Sequence, residues 1–341
     1  MKVLIVKLSA LGDVVQSLPV AMAIRGQVPQ AQVDWLVEAP SAGLLEGHPA
    51  LSRVLVSPRR RPGGRSLGQV RQWLKVLRAV EYDAVLDLQG LMKSAIFVGL
   101  GRGRRKIGFS GGKEPLAAWA LTERLPAYDP QRHALERYLD LLGPLGLERP
   151  APPRFGLEPQ APALAKAEAL LAGRRPGRQL VVLHPVAKWE SKLWPVAHWA
   201  RLARLLHQAG LDLVLSGSAA DRGVTQAMAG QAGLAEGLWD LAGAVSLKEL
   251  AAVLSLADLT VATDTGVMHL AAALGRPVVA LFGPTSPGRT GPYGAGHVVL
   301  RLGLECSPCF RRNCPAPRCL TGLEPEEVAL AALSRLDQAR P

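Results

Sequence analysis

The sequence predicts an α/β protein of two domains, each a parallel sheet covered by helices on both faces. Two observations carry that prediction. Strand-length apolar runs alternate with helical patterns through both halves of the 341 residues, and one Pro/Gly-rich stretch interrupts the alternation. A third agrees with them: glycines and acids recur just beyond the carboxyl ends of the predicted strands, where α/β folds bind ligands.

In the first half, Val3 to Val6 reads as a strand and Val14 to Gly26 as its helix. Gln32 to Glu38 and Arg53 to Ser57 read as further strands, Leu67 to Val80 as a helix, and Ala84 to Leu88 as a fourth strand. Each crossover has a length that suits a βαβ unit. After a helix over Ala134 to Leu142, Gly143, Pro144, Gly146, Pro150, Pro152 and Pro153 crowd together in a linker composition. An Ala/Leu-rich helix over Ala161 to Ala172 and a breaker cluster at Gly173 to Arg178 complete the interruption.

The second half repeats the pattern. Strands are expected at Leu180 to His184, Leu211 to Leu215, Leu259 to Ala262 and Pro277 to Phe282, and helices at Val196 to Ala209, Arg222 to Ala229, Leu247 to Ala257 and Val267 to Leu274. Glu324 to Ala339 closes the chain as an amphipathic helix with Pro325 in its first turn. The expected boundaries are residues 1–150 for a first Rossmann-like domain, 151–178 for a linker region, 179–323 for a second such domain and 324–341 for the last helix. Two domains of this kind on one linker imply a cleft between their sheets.

Composition narrows the functions. With 48% hydrophobic and 20% charged residues the chain is long and apolar enough to bury two cores, which excludes wholesale disorder. Its start, MKVLIVKLSALGD, lacks the long apolar stretch and cleavage site of a secretory signal, so a cytoplasmic enzyme is expected. The most apolar stretch, Leu259 to Phe282, is broken by Asp264, His269 and Arg276 and cannot serve as a membrane span. The formal charge of +12 suits nucleic acid, an anionic membrane or a phosphorylated substrate, although arginine-rich faces are also often simply solvated. The cations cluster at Arg59, Arg60, Arg61 and Arg65, and again at Arg102, Arg104, Arg105, Lys106 and Lys113. With 5% aromatics and no nucleic-acid-binding motif, base stacking is poorly supplied. An anionic sugar or lipid headgroup is the expected partner, and nucleic acid is not.

Several residues carry chemistry at strand ends. Lys7 to Asp13 follows the first strand, with Gly12 permitting close backbone approach and Asp13 placed either to cap the next helix or to act on a ligand. In the second half, Thr263 to His269 again joins a strand end to a helix. The N–H groups of Thr265 and Gly266 form an anion site there, Asp264 can orient hydroxyls or cap, and His269 can reach the same ligand or simply pack. Lys192 precedes a helix start and either neutralises phosphate or stays solvated. Asp221, after the glycine loop Ser216 to Ala220, either accepts from ribose hydroxyls or caps. All four cysteines, Cys306, Cys309, Cys314 and Cys319, lie within 14 residues. A disulfide framework would spread along a small secreted chain. This cluster instead raises a structural zinc or iron–sulfur site, with reduced cysteines in a loop as the alternative; its spacing is tighter than in a zinc ribbon.

Ser9 to Asp13, Lys113 to Ala117, Lys192 to Pro195, and Asp264 to His269 followed by Phe282 to Thr285 together resemble the ADP-heptose:lipopolysaccharide heptosyltransferases, in the family's order and from residue 1 to about 330. Lys113 to Ala117, the segment Tyr82 to Ser94, and His133 before Leu135-Glu136-Arg137 resemble the branch that adds the first heptose more than the branch that adds the second. A transferase for another nucleotide sugar, and a protein that binds a sugar nucleotide or lipid headgroup without transfer, are the alternatives.

The resemblance implies a GT-B fold, in which the two sheets face each other across the cleft. It implies ADP-L-glycero-β-D-manno-heptose as donor and the inner-core Kdo of lipid A as acceptor. Asp13 is then the base that takes a proton from the acceptor hydroxyl as it attacks the anomeric carbon opposite the diphosphate, inverting configuration. Lys192 and the helix start at Thr265 and Gly266 would stabilise charge growing on ADP, so no cofactor or metal is required for transfer. Asp264, Thr265, Gly266 and His269 correspond to donor contacts, and Asp221 to the ribose-binding acid, with aspartate in place of the family's glutamate. Lys188 stands near the place of a threonine pair that this chain lacks. Ser9, Gly12, Arg59, Arg60, Arg61, Lys113 and His133 fall on the acceptor side, where the cations would meet the phosphate and carboxylates of Kdo-lipid A. The basic first half further implies peripheral contact with the anionic cytoplasmic face of the inner membrane.

Overall fold

Val3, Leu4, Ile5 and Val6 are all fully buried, with no alternation along the strand. A strand covered on both faces has this pattern, which all-parallel sheets impose. The computed structural model describes residues 1–58 and 67–338. The chain divides into two compact units, Met1–Gly156 and Leu157–Pro341.

The first unit runs β1 (Lys2–Val6), α1 (Leu11–Gln27), β2 (Gln32–Val37), α2 (Ala39–Leu45), β3 (Arg53–Val56), α3 (Leu67–Leu77), β4 (Tyr82–Asp87), α4 (Met92–Leu100), β5 (Gly103–Phe109), a 3₁₀ turn (Pro115–Ala120), β6 (Glu123–Leu125) and α5 (Ala134–Leu139). The six strands are parallel in the order β3-β2-β1-β4-β5-β6. The winding reverses between β1 and β4, the kind of point where open α/β sheets bind ligands. A fully buried carboxylate ties three of these strands together: Asp34 on β2 accepts from Arg53 on β3 at 2.6 Å and from the Tyr82 hydroxyl on β4 at 2.7 Å.

The second unit runs α6 (Ala161–Leu170), β7 (Leu180–His184), α7 (Val196–Gln208), β8 (Asp212–Leu215), α8 (Arg222–Ala232), β9 (Leu238–Asp240), α9 (Leu247–Leu256), β10 (Leu259–Thr263), α10 (Gly266–Ala273), β11 (Val278–Leu281), α11 (Pro287–Thr290), β12 (Val298–Leu300), α12 (Arg318–Thr321) and α13 (Pro325–Asp337). Its parallel sheet has the order β12-β11-β10-β7-β8-β9, the same winding as the first. Helix α6, inside the stretch read as a linker, packs on α9 and joins it through Lys166 and Glu249 at 2.7 Å. The buried Trp194 and Trp199 rings meet edge to face at 5.0 Å, and Trp194 Nε1 donates to the Leu323 carbonyl at 3.0 Å, anchoring the entry to α13.

Each sheet has six strands where apolar runs mark four. β5 is hidden in the sequence because its residues are GRRKIGF: Arg105 is held by Glu123 and Arg104 by Glu81, so charge stands where an apolar run is sought. β6, β9 and β12 have three residues each, too few to leave a period. Among the described residues, no helix is long and apolar enough to cross a membrane.

Candidate active site

Lys7 follows β1 directly and is only 3% exposed. Its Nζ donates to the Leu88 carbonyl at 3.0 Å and to the Tyr138 hydroxyl at 2.7 Å, and stands 4.0 Å from Asp13 Oδ1. Tyr138 Oη in turn donates to Asp13 Oδ1 at 3.1 Å. Asp13 Oδ2 accepts the Ala10 N–H at 3.1 Å. Helix α1 begins at Leu11, earlier than its apolar pattern suggests, so Asp13 occupies its first turn. Capping and presentation to a ligand are therefore compatible: one oxygen serves the helix start while the other faces Tyr138. Burial pulls the Lys7 ammonium below the usual lysine range, opposed by Asp13 and Asp87, and pushes the Tyr138 phenol far above its own. Tyr138 is thus held as a proton donor.

These groups line a pocket of about 210 Å³ together with Gln89, Gly90, Gly112, Lys113 and Arg137. The pocket wall is shaped by Asp87, whose Oδ1 accepts the N–H groups of Gln89 and Gly90 at 3.0 Å each. Gly90 takes φ +62, which a side chain would strain. Gln89 Oε1 accepts from the Leu8 and Ser9 N–H groups at 3.1 Å, binding this wall to the loop before Asp13. The Arg137 guanidinium stacks 4.4 Å from the Tyr128 ring centroid. Lys113 is exposed at the rim.

The other acceptor-side residues scatter more. Ser9 Oγ accepts from Lys93, which also pairs with Glu38 at 3.0 Å, and Gly12 is buried in the first turn of α1. His133 is the N-cap of α5, its Nδ1 accepting the Leu135 N–H at 3.2 Å, and it does not line the pocket. Arg59, Arg60 and Arg61 lie outside the described residues. A larger cavity of about 660 Å³, between the last turn of α1 and residues 148–154, holds none of the expected site residues.

In the second unit, Lys192 Nζ contacts Asp264 Oδ2 at 2.7 Å, with both side chains largely buried, and lies 4.4 Å from the Trp189 ring centroid. His269 Nε2 stands 3.9 Å from Asp264 Oδ1. Thr265 is the N-cap of α10 and Gly266 its first residue. The hydroxyls of Thr263 and Thr265 in this turn, and of Thr285 after β11, are buried, and among the described residues none meets a protein hydrogen-bond partner. Buried hydroxyls without partners are costly to a fold and useful to a ligand rich in oxygen acceptors. His184, at the end of β7, contacts Ser216 Oγ at 2.9 Å, and burial lowers its pKa to about 4.

Asp221 and Lys188, both expected on the donor side, stand in strand-to-helix connections of the second unit. Asp221 Oδ2 accepts from the Ser218 N–H at 2.8 Å and the Ser218 hydroxyl at 2.6 Å, which is the capping alternative in action. Lys188 is exposed on the loop after β7.

The cysteine segment braces this site through its other residues. Ser191, beside Lys192, donates from N–H to the Arg312 carbonyl at 3.0 Å and from Oγ to the Arg311 carbonyl at 2.6 Å. Ser307 Oγ donates to the Gly283 carbonyl at 2.6 Å, and the Phe310 N–H to the Pro284 carbonyl at 2.8 Å. The four cysteines are free thiols. Among the described residues no three His, Cys, Asp or Glu side chains gather to hold a metal ion. The structural metal raised by the spacing therefore gains no support: Cys306 and Cys309 are exposed while Cys314 and Cys319 are half-buried.

Tyr138, Arg137 and the buried threonines Thr263 and Thr285 are absent from the sequence-derived site. Lys7 carried a local signal as a cation ending an apolar strand, and Thr263, Thr285 and Arg137 lie inside segments the sequence singles out without being given a role there.

Residues 70–320 match the model of the family described as glycosyltransferase family 9 (heptosyltransferase). The chain is 36% identical to lipopolysaccharide heptosyltransferase 1 of Pseudomonas aeruginosa, over 96% of both chains. It is 36% identical to the protein of that name from Salmonella typhimurium, over 90% of this chain and 95% of the other. Among solved structures it resembles E. coli heptosyltransferase WaaC with ADP, at a TM-score of 0.80 and 29% identity, covering 98% of this chain and all of that one. Two parallel α/β units with their chemistry at strand ends place the fold in the GT-B class of glycosyltransferases. The chain belongs to glycosyltransferase family 9, the heptosyltransferases, and is a heptosyltransferase enzyme.

Proposed function

We propose that this enzyme transfers L-glycero-D-manno-heptose from ADP-heptose to the Kdo of lipid A, with inversion, as the first heptose addition to the lipopolysaccharide inner core. The observation that carries this reading is Asp13: an aspartate 39% exposed at the wall of a first-unit pocket, its Oδ1 oriented by Tyr138 and its Oδ2 by Ala10. Asp13 takes the proton from the acceptor hydroxyl as that oxygen attacks the anomeric carbon. The bond to the ADP oxygen breaks, and the negative charge passes to the diphosphate.

In the second unit, Lys192 and the α10 start at Thr265 and Gly266 receive that charge, with the Thr263 and Thr285 hydroxyls as further donors. Asp264 and His269 orient this group. Asp221 contacts the ribose and Lys188 reaches the diphosphate from its exposed loop. Preorganised cations and N–H groups do the work that a divalent metal does elsewhere, so transfer proceeds without one. On the acceptor side, Lys113 and the Arg59, Arg60 and Arg61 run meet phosphate and carboxylate groups, and Ser9, Gly12 and His133 shape the surrounding loops. The enzyme works in the cytoplasm, peripherally at the inner membrane.

A transfer assay with ADP-heptose and Kdo-lipid A tests the reading directly. Turnover restricted to an already heptosylated acceptor refutes the first-heptose assignment. Asp13→Asn lowers kcat by about 10²- to 10⁴-fold while ADP-heptose binding persists. Unchanged kcat in that variant removes Asp13 as the base.

A further inference from the structure

The first unit leaves a set of large apolar side chains outside its core. Met92, Ile96 and Leu100, four residues apart on one face of α4, are all exposed. Leu116 and Trp119, on the 3₁₀ turn Pro115–Ala120 that packs along α4, are 80% and 57% exposed. The Trp119 ring lies so close on α4 that a Cβ added at Gly99 would sit 2.6 Å from it, which joins turn and helix into one apolar patch. Helix α3 packs beside α4 through Trp73 and Phe97, ring centroids 5.1 Å apart. It turns Arg71 and Lys75, one helical turn apart, to solvent, and Arg78 just past its end is exposed as well.

The patch starts where the Asp13 pocket ends. Leu91 and Lys113 to Pro115 line that pocket, and Met92 and Leu116 are the next residues in the chain.

We propose that the α4 and Trp119 patch, with the α3 cations beside it, is a docking surface for an anionic phospholipid bilayer. Leu, Ile and Trp side chains beside a row of Lys and Arg are the composition of interfacial membrane binders: the apolar groups enter the headgroup boundary and the cations meet lipid phosphates. Charge complementarity and continuity with the pocket choose the occupant. The continuity argument rests on the acceptor reading above, in which the pocket receives a sugar anchored in lipid. Docking here sets the pocket mouth at headgroup depth, so the acceptor need not leave the bilayer.

The experiment is co-sedimentation of the full chain with phosphatidylethanolamine/phosphatidylglycerol vesicles, and with phosphatidylcholine alone, both free of lipid A. The anionic vesicles bind and the neutral ones bind weakly. Leu116→Glu, at a position too exposed to matter to the core, weakens partitioning by about tenfold or more. Replacing Arg71, Lys75 and Arg78 with alanine weakens it on the order of a hundredfold at low salt and less at high salt. Equal sedimentation of the unaltered chain and both variants overturns the proposal. A change of oligomeric state in Leu116→Glu with vesicle binding intact also overturns it, because the patch then belongs to a second copy. Leu116→Glu retains full turnover on a deacylated, water-soluble acceptor and slows on acceptor embedded in vesicles; equal slowing on both overturns the docking role. If the unaltered chain transfers to no Kdo acceptor, the functional reading fails, and the lipid-A-free sedimentation still decides the patch.

Discussion

Asp13 divides its oxygens between two neighbours, the Ala10 N–H and the more distant Tyr138 hydroxyl. Tyr138 comes from α5, 125 residues later, and is itself fixed by the buried Lys7 ammonium. Tyr138→Phe removes one hydrogen bond to a carboxylate, about 1.5 kcal/mol, and is expected to lower kcat roughly tenfold. On the proposed reading, which puts the donor in the second unit, ADP-heptose KM stays within about twofold. A steady-state comparison with Asp13→Asn distinguishes positioning from loss of the base. Asp13, Thr265 and Gly266 were legible in the sequence because a glycine or acid just past an apolar run marks a strand end. Tyr138 was not legible, since only the winding of the first sheet brings it to β1. Asp221 shows the reverse: its capping bonds to Ser218 are local and could be read, whereas any ribose contact depends on a ligand.

At the scale of elements, buried charge ties strands that apolar packing alone leaves exchangeable. Asp34 is fully buried in β2 and draws β3 and β4 to it, and burial followed by the Asp34 carboxylate pushes the Tyr82 phenol far up. Tyr82→Phe strips a donor from that carboxylate and is expected to cost about 2 kcal/mol in urea or guanidinium unfolding, with the sheet otherwise intact. A loss below about 0.5 kcal/mol would show that Arg53 and Gln32, which also donates to Asp34 Oδ2 at 3.1 Å, satisfy the acid without the tyrosine. Strands that are buried and mainly apolar, β1, β7 and β10, were read from sequence nearly to the residue. β5 escaped because its arginines reach glutamates outside the strand, information carried by no window of its own sequence.

For the whole molecule, both units repeat one winding and each keeps its chemistry at the point where that winding turns. In the second unit this burial has a cost that depends on pH. The His184 imidazole, ordinarily near 6.5, is lowered to about 4 by burial. The unfolded chain binds this proton as pH falls through about 6.5, while the native state refuses it until about 4. Native stability therefore declines across that window and levels below it, by roughly 3 kcal/mol from this site. Denaturant titrations at about pH 7 and about pH 4.5 check the sign. His184→Asn should shrink the difference between the two, and an unchanged difference would remove His184 as its source.

The strand order also governs how the chain is made. β1, with its wholly apolar VLIV, is made before the other strands of its sheet, yet it ends in the middle of that sheet, where Val3 lies opposite Ala84 of β4. Until that partner has been translated, one edge of the segment leading to Asp13 lacks its native cover. Long-range parallel pairing of this kind folds slowly and exposes sticky intermediates. Slower translation and chaperone supply should therefore raise the yield of active enzyme more than changes to its mature surface would.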